Sequence, residues 1–286
     1  MKIVFLGTAA AEGIPGLWCK CEYCERARKA GGKEIRRRCS YCVDDDTMID
    51  FGPDSFYQAL ANHIYLPDLK RVIFTHPHGD HMSPGEFTYR RIPNFCSEEA
   101  KGQLLDIVAS KETFREFVKG IFATNSTGFS ALDIFGDLRV NPLPAVPGEW
   151  LRSGDLEVLP IPASHAASYG AMIYVLRRNG KSVLIANDTG WLADESWAML
   201  DGIKLDAAVI ECTLVMRRPE GRKNHMGATA SLEFRDRLVA MGCLTRETPV
   251  FVNHFSHNGR ASHEDMVKFF APHGIQVAYD GLAFEV

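Results

Sequence analysis

Short apolar runs rich in β-branched residues recur along the chain, each closed by Gly, Pro or Asp. They predict strands at Lys2 to Leu6, Thr47 to Phe51, Arg71 to Thr75, Leu156 to Ile161, Ala171 to Leu176, Ser182 to Ala186, Ala207 to Ile210 and Val250 to Val252. Helical spacing lies between them. Thr229 or Ser231 can cap a helix through Leu232, Leu238 and Val239 that stops at Gly242, and Ser262 can cap another reaching Phe269 and Phe270 before Pro272. Phe114, Phe117, Val118 and Ile121 predict one or two helices within 97 to 121, and "VAYDGLAFEV" reads as a hairpin turning at Asp280-Gly281. This alternation predicts an α/β fold in one domain, 1 to 286. The proline-rich "NPLPAVPGEW" at 141 to 150 is the connector by which a helical insertion, about 96 to 150, returns to the core.

Composition narrows the class. With 286 residues, 46% hydrophobic and 24% charged, the chain has the make-up of a globular protein able to bury a large core. A formal net charge of -4 gives no global attraction to nucleic acid or anionic lipid, so any phosphate recognition must be local. No run approaches the roughly 18 apolar residues of a membrane span. The apolar stretch before Gly7 is shorter than the ~7 to 15 residues of a signal peptide. A cytoplasmic protein with no membrane partner is the expectation. Of eight cysteines, five fall within 19 to 42, which favours metal binding over a disulfide framework.

The densest chemistry is in "RVIFTHPHGDHMSPG", residues 71 to 85. Pro77 and Gly79 exclude a helix, so His76, His78, Asp80 and His81 sit on a loop at the carboxyl end of a strand. Imidazoles are neutral nitrogen donors and Asp a hard oxygen donor. A tight loop can aim them in different directions, as two adjacent metal ions require. Three further strand ends carry ligand types: His165 after "LEVLPIP", Asp188 after "SVLIAN" and His254 after "PVFVN". Alone, His165 could be a surface histidine, and Asp188 could cap the turn before Gly190. In "WCKCEYC", Cys19, Cys21 and Cys24 offer three thiolates where a tetrahedral zinc needs four ligands. A competing set is Cys21, Cys24, Cys39 and Cys42, two C-x-x-C pairs 14 residues apart. "RCSYCVDDD" reads as strand and turn, whose alternating faces disfavour that set, leaving Cys39 and Cys42 as packed residues. Buried packing is also the default for Cys96, Cys212 and Cys243.

"THPHGDH" matches the T-H-x-H-x-D-H signature of the metallo-β-lactamase-fold hydrolases, and "PASH", "LIANDTG" and "FVNHFSH" stand where that family places its remaining ligands. The resemblance implies a four-layer αβ/βα sandwich with a dinuclear centre of Zn or Mn. His76, His78 and His165 would hold one ion, Asp80, His81 and His254 the other, and Asp188 would bridge them. The C-x-C-x-x-C arm, about 13 to 42, resembles that of the phosphonate-pathway cyclic phosphodiesterases (PhnP-like), where the fourth ligand of a structural zinc matches His257. Those relatives also carry a catalytic histidine at the position of His225 in "RRPEGRKNHMG", and Asp80 is counted with it as catalytic. The resemblance thus implies a hydrolase of small or cyclic phosphodiesters acting through a metal-activated water, with His225 protonating the leaving alkoxide or binding phosphoryl oxygens.

Several alternatives stay open. Arg217, Arg218, Arg222 and Lys223, like "IRRRC" at 35 to 39, could attract a phosphate or simply be solvated. Carboxylic-ester, lactone or thioester hydrolysis would use the same centre, and an RNA-processing endonuclease shares the fold. The acidic chain with its short arm argues against nucleic acid as a partner. Persulfide oxygenation by a single iron is disfavoured by the full second ligand set. A binding protein merely stabilised by metals would show degenerate ligands, and none of the seven is missing. The 96 to 150 segment is expected to lid the site or to form the subunit contact of a homodimer.

Overall fold

The computed structural model describes residues 1–92, 95–124 and 133–286. The first half contains β1 (Lys2–Gly7), α1 (Glu22–Ala30), β2 (Ser40–Val43), β3 (Thr47–Ile49), α2 (Ser55–Ala61), β4 (Arg71–Ile73), α3 (Pro84–Phe87), β5 (Leu105–Ala109), α4 (Lys111–Thr124), α5 (Ile134–Asp137) and β6 (Val140–Pro144). The second contains β7 (Leu151–Ser153), β8 (Leu156–Pro162), β9 (Met172–Arg178), β10 (Lys181–Ala186), α6 (Asp194–Ala198), β11 (Ala207–Glu211), α7 (Ala228–Ala240), β12 (Val250–Asn253), α8 (His263–Phe270), β13 (Ile275–Val277) and β14 (Ala283–Glu285).

Two seven-stranded sheets form, in the orders β14-β1-β2-β3-β4-β5-β6 and β13-β12-β11-β10-β9-β8-β7. Between them lies a core containing Phe5, Tyr41 and Ile73 from one sheet and Tyr174, Ile185 and Phe251 from the other. Opposite faces of the same strands are apolar too. Leu6, Val72 and Ile107 pack against Phe87 of α3 and Phe117 of α4, while Leu184 and Ile210 pack against Trp197 of α6 and Phe234 of α7. Burial on both faces explains why the strands read as unbroken apolar runs. The result is the expected four-layer αβ/βα sandwich, with metal-ligand residue types at the carboxyl ends of the β3–β4 and β10–β11–β12 strands.

Three expectations are corrected. The 275–285 stretch is not a hairpin: β13 pairs with β12 and β14 with β1, in different sheets. The Asp280-Gly281 turn does exist, with Gly281 at φ +89, but it carries the chain across the sandwich. Asp280 accepts from Thr8 Oγ1 and the Arg37 N–H, which fixes that crossing. Nor is 96 to 150 a purely helical insertion. β5 and β6 lie within it and complete the first sheet in parallel register. The prolines that suggested a connector, Pro142 and Pro144, are tolerated because β6 is an edge strand. The helix predicted from Phe114, Phe117, Val118 and Ile121 is α4. Finally, neither Thr229 nor Ser231 caps α7; the cap position is Gly227, where a Cβ would run into the Arg218 carbonyl. Ser231 lies one turn in and donates to the Glu211 and Gly227 carbonyls. Ser262 does cap α8, in a reciprocal box with Asp265.

Among the described residues no helix is long and apolar enough to cross a membrane.

Candidate metal centre

The seven residues singled out by ligand type converge on one point. His76, His78, His165 and Asp188 can offer donor atoms within 4.8 Å of one another, and so can Asp80, His81, Asp188 and His254. Asp188 belongs to both groups. Its Oδ2 lies 3.2 Å from His76 Nε2 on one side, and 3.1 Å from His81 Nε2 and 3.7 Å from His254 Nε2 on the other. Ligands 2.0–2.1 Å from a tetrahedral zinc stand roughly 3.3 Å apart, so these separations suit a shared cation.

Polar accounting supports that reading. His81 Nε2, His165 Nδ1, Asp188 Oδ1 and His254 Nε2 are buried with no well-directed hydrogen-bond partner among the described residues. Each such orphan costs about 1–3 kcal/mol, and three imidazole nitrogens gathered around a carboxylate with an orphan oxygen of its own mark a place built for cations. Burial and the surrounding imidazoles keep His76 well below the usual imidazole range, and burial brings His254 down to about 4, so both are neutral donors at neutral pH. Burial opposes charge on Asp188, yet His254, His81 and His76 outweigh it and hold the carboxylate ionised. At His81 burial likewise opposes charge, but Asp80 and Asp50 lift its pKa far above normal, an environment that calls for positive charge.

Supporting residues orient the donors. Asp50 is fully buried, accepts from His81 Nδ1 at 2.6 Å, and receives the Thr75 N–H and hydroxyl. Fixing Nδ1–H this way turns Nε2 toward Asp188. Asp50→Asn is expected to weaken metal affinity roughly 10–100-fold, read by competition with a chromogenic chelator, without unfolding the protein.

His225 joins the site from the loop after β11. Its Nδ1 lies 2.7 Å from Glu211 Oε1 and 3.2 Å from Asp188 Oδ1. Glu211 is fully buried at the end of β11 and also accepts from Thr213 Oγ1 and the Met226 N–H. Burial opposes charge on His225, but the Glu211 hydrogen bond and carboxylate outweigh it, raising the imidazole to about 9. Thr213 Oγ1 also contacts His254 Nδ1 at 2.7 Å, so one carboxylate steadies a ligand and the acid–base candidate together.

The cavity above these groups is about 500 Å³ and is lined by Glu12, His78, Asp80, His165, His225 and Asn258 among others, with no Lys or Arg among the described residues that line it. Of the basic residues left open above, Arg222 pairs with Glu233 and lies over Trp191, while Arg217, Arg218 and Lys223 do not line the cavity. Arg36, Arg37 and Arg38 serve the fold through Ala278, Asp280 and Asp54 respectively.

The cysteine arm forms a separate cluster. Cys19, Cys21, Cys24 and His257 gather within 4.8 Å, with His257 Nδ1 3.7 Å from Cys19 Sγ and 3.5 Å from Cys21 Sγ. Burial opposes charge on Cys21, but the Cys24 N–H and His257 outweigh it and bring the thiol down to about 6; burial pushes Cys24 up to about 12. Cys39 instead contacts Tyr41 and Asn187 between the sheets, and Cys42 faces the outer core. Because His257 and His254 share one loop, the arm braces the centre. Cys21→Ser is expected to lower the zinc content by one equivalent. If about 2 kcal/mol of cross-linking is lost, Tm falls by roughly 3 °C in a thermal melt.

Residues 46–244 match the model of the beta-lactamase superfamily domain. Coenzyme PQQ synthesis protein B of Methylobacterium radiotolerans is 28% identical over 195 residues, which cover 60% of this chain and 61% of that protein. The chain therefore spans about 61% of the length of that curated relative. A diphosphatase from the PhnP family superposes with a TM-score of 0.73 at 24% identity, over 100% of this chain and 96% of the other. Zn²⁺-bound PqqB from Methylobacterium extorquens superposes with a TM-score of 0.70 at 19% identity, over 100% of both chains. At these identities the two superpositions speak for the fold alone. The family match is broader evidence, since it runs from β3 past the end of α7 and takes in six of the seven converging ligands, and on it the chain belongs to the beta-lactamase superfamily, in its metallo-β-lactamase-fold form.

Proposed function

We propose that the protein is a metal-dependent hydrolase of small or cyclic phosphodiesters. Two divalent ions, zinc or manganese, would sit in the two groups that share Asp188, and a structural zinc in the cysteine arm. The observation that carries the reading is the His225–Glu211 pair, held 3.2 Å from the carboxylate that both ligand groups share. When bound, such ions lower the pKa of a water and offset negative charge on phosphoryl oxygens. Asp80 and Asp188 fix the geometry of the site. His225 would supply the proton that the leaving oxygen needs, and Glu211 would keep the imidazole aligned and protonated for that step.

The cavity's size and the absence of Lys or Arg among its described lining residues favour a compact substrate over a polynucleotide, which needs a basic track for its backbone. Purified protein loaded with Mn²⁺ or Zn²⁺ would be assayed on bis-p-nitrophenyl phosphate, cyclic nucleotides, lactones and thioesters. Turnover of the phosphodiesters, at least about 10⁶-fold above background, is expected. Turnover confined to lactones or thioesters would replace the substrate class, and inactivity on every substrate with both ions bound would favour a binding protein.

A second reading rests on sequence identity. The curated relatives at 28% identity are named for coenzyme PQQ synthesis, so a role in that synthesis is the alternative. Restoration of PQQ production in a strain lacking its own protein B would favour it.

A further inference from the structure

A second cavity, of about 550 Å³, lies on the outer side of the first sheet, behind the metal-binding loop. Phe51, Tyr65, Leu66, Val72, Phe87 and Leu105 give it apolar walls, and Arg90 and Arg139 also line it. Arg139 Nε and Nη1 are buried with no hydrogen-bond partner among the described residues. Arg90 gives its Nε to the Leu138 carbonyl and Nη2 to the carbonyls of Gln103 and Arg139. Burial and the neighbouring Arg139 together bring the Arg90 guanidinium down to about 10. Glu86 and Glu99 line the cavity as well, yet no ion pair joins either of them to these arginines among the described residues. Two guanidinium groups thus sit beside a partly apolar cavity, with no carboxylate bound to them among the described residues. Arg139 is also held at φ +53, a left-handed backbone that an arginine adopts at a cost.

A buried N–H without a partner is costly, and a guanidinium N–H makes a charge-assisted hydrogen bond to a carboxylate. The volume falls in the range of small-molecule sites, roughly 300–1,000 Å³. We propose that this cavity binds an apolar carboxylate, its head group on Arg139 and its tail against Leu66, Val72, Phe87 and Leu105. The site is distinct from the metal centre. Phe51 and Phe87, with ring centres 5.3 Å apart, line its wall, and the Phe51 N–H donates to the His81 carbonyl.

Calorimetric titration of the full chain with decanoate tests this. Saturable one-to-one binding is expected, at least tenfold tighter than that of decanol, which has the tail without the charge. Arg139→Asn removes the guanidinium while keeping a residue that tolerates positive φ, and it should weaken decanoate at least tenfold. Leu66→Trp, which fills the apolar end, should do the same and stands in if Arg139→Asn fails to fold. Asp188→Ala should bind decanoate as wild type does. The proposal is overturned by absent binding, by equal affinity for decanol, by undiminished affinity in Arg139→Asn or Leu66→Trp, or by loss of binding in Asp188→Ala, which would put decanoate at the metal centre.

Discussion

Asp188→Ala is expected to lose both ions of the hydrolytic centre and to lower kcat/KM by about 10⁴-fold or more, while the circular dichroism spectrum stays that of the wild type. Asp188 lies two residues beyond β10, at φ +51, and is 3% exposed. Its Oδ2 faces His76 from the first group, and His81 and His254 from the second. Alanine removes the one carboxylate common to both groups, so the imidazoles remain as neutral donors but the negative charge that offsets the mutual repulsion of two cations is gone. Groups that act as a unit fail together, so the loss should approach that of removing a whole ligand set. Elemental analysis and kinetics on the same sample provide the check. Retention of two ions would show that Asp188 bridges nothing.

The second large effect separates chemistry from metal binding. His225→Ala is expected to keep both ions and to lose about 10²–10⁴ in kcat, the usual scale for a general acid. A substrate whose leaving group needs no proton, such as p-nitrophenolate, should be far less affected than an alkyl diester. Glu211→Gln retains a hydrogen-bond acceptor for His225 but removes the charge that raises its pKa. Its loss should be smaller, and the alkaline limb of the pH–rate profile should move to lower pH, because His225 then gives up its proton sooner. An equal loss for both substrates in His225→Ala would point instead to a part in binding phosphoryl oxygens.

The convergence of these residues was legible in part from strand ends and in part from the resemblance to the metallo-β-lactamase-fold hydrolases, which implied that they form one set. His76, His165, Asp188 and His254 each lie within three residues of the carboxyl end of a buried strand, β4, β8, β10 and β12 respectively, so short connections hold them at one edge of the sandwich. Asp50 and Glu211 were missed although the same signal marks them. "TMID" and "AAVIE" each end an apolar run on a carboxylate. An acid there touches neither metal-ligand motif in sequence, and its worth shows only when His81 and His225 arrive from other strands. The misread C-terminus has a different cause. A Gly-containing turn looks the same whether its flanks pair with each other or with strands formed elsewhere, and pairing with β12 and β1 is decided by tertiary packing. β5 and β6 were lost because one apolar pentapeptide and a proline-containing edge carry too little periodicity beside the strong helical signal of α4.

Anomalous diffraction at the zinc edge from crystals of zinc-loaded protein tests the pairing of the ions most directly. The account predicts two peaks about 3.5–4 Å apart, one bounded by His76, His78 and His165, the other by Asp80, His81 and His254, with Asp188 touching both. A third peak is expected among Cys19, Cys21, Cys24 and His257. A single peak at the first centre, or two peaks that leave Asp188 uncoordinated, would contradict it.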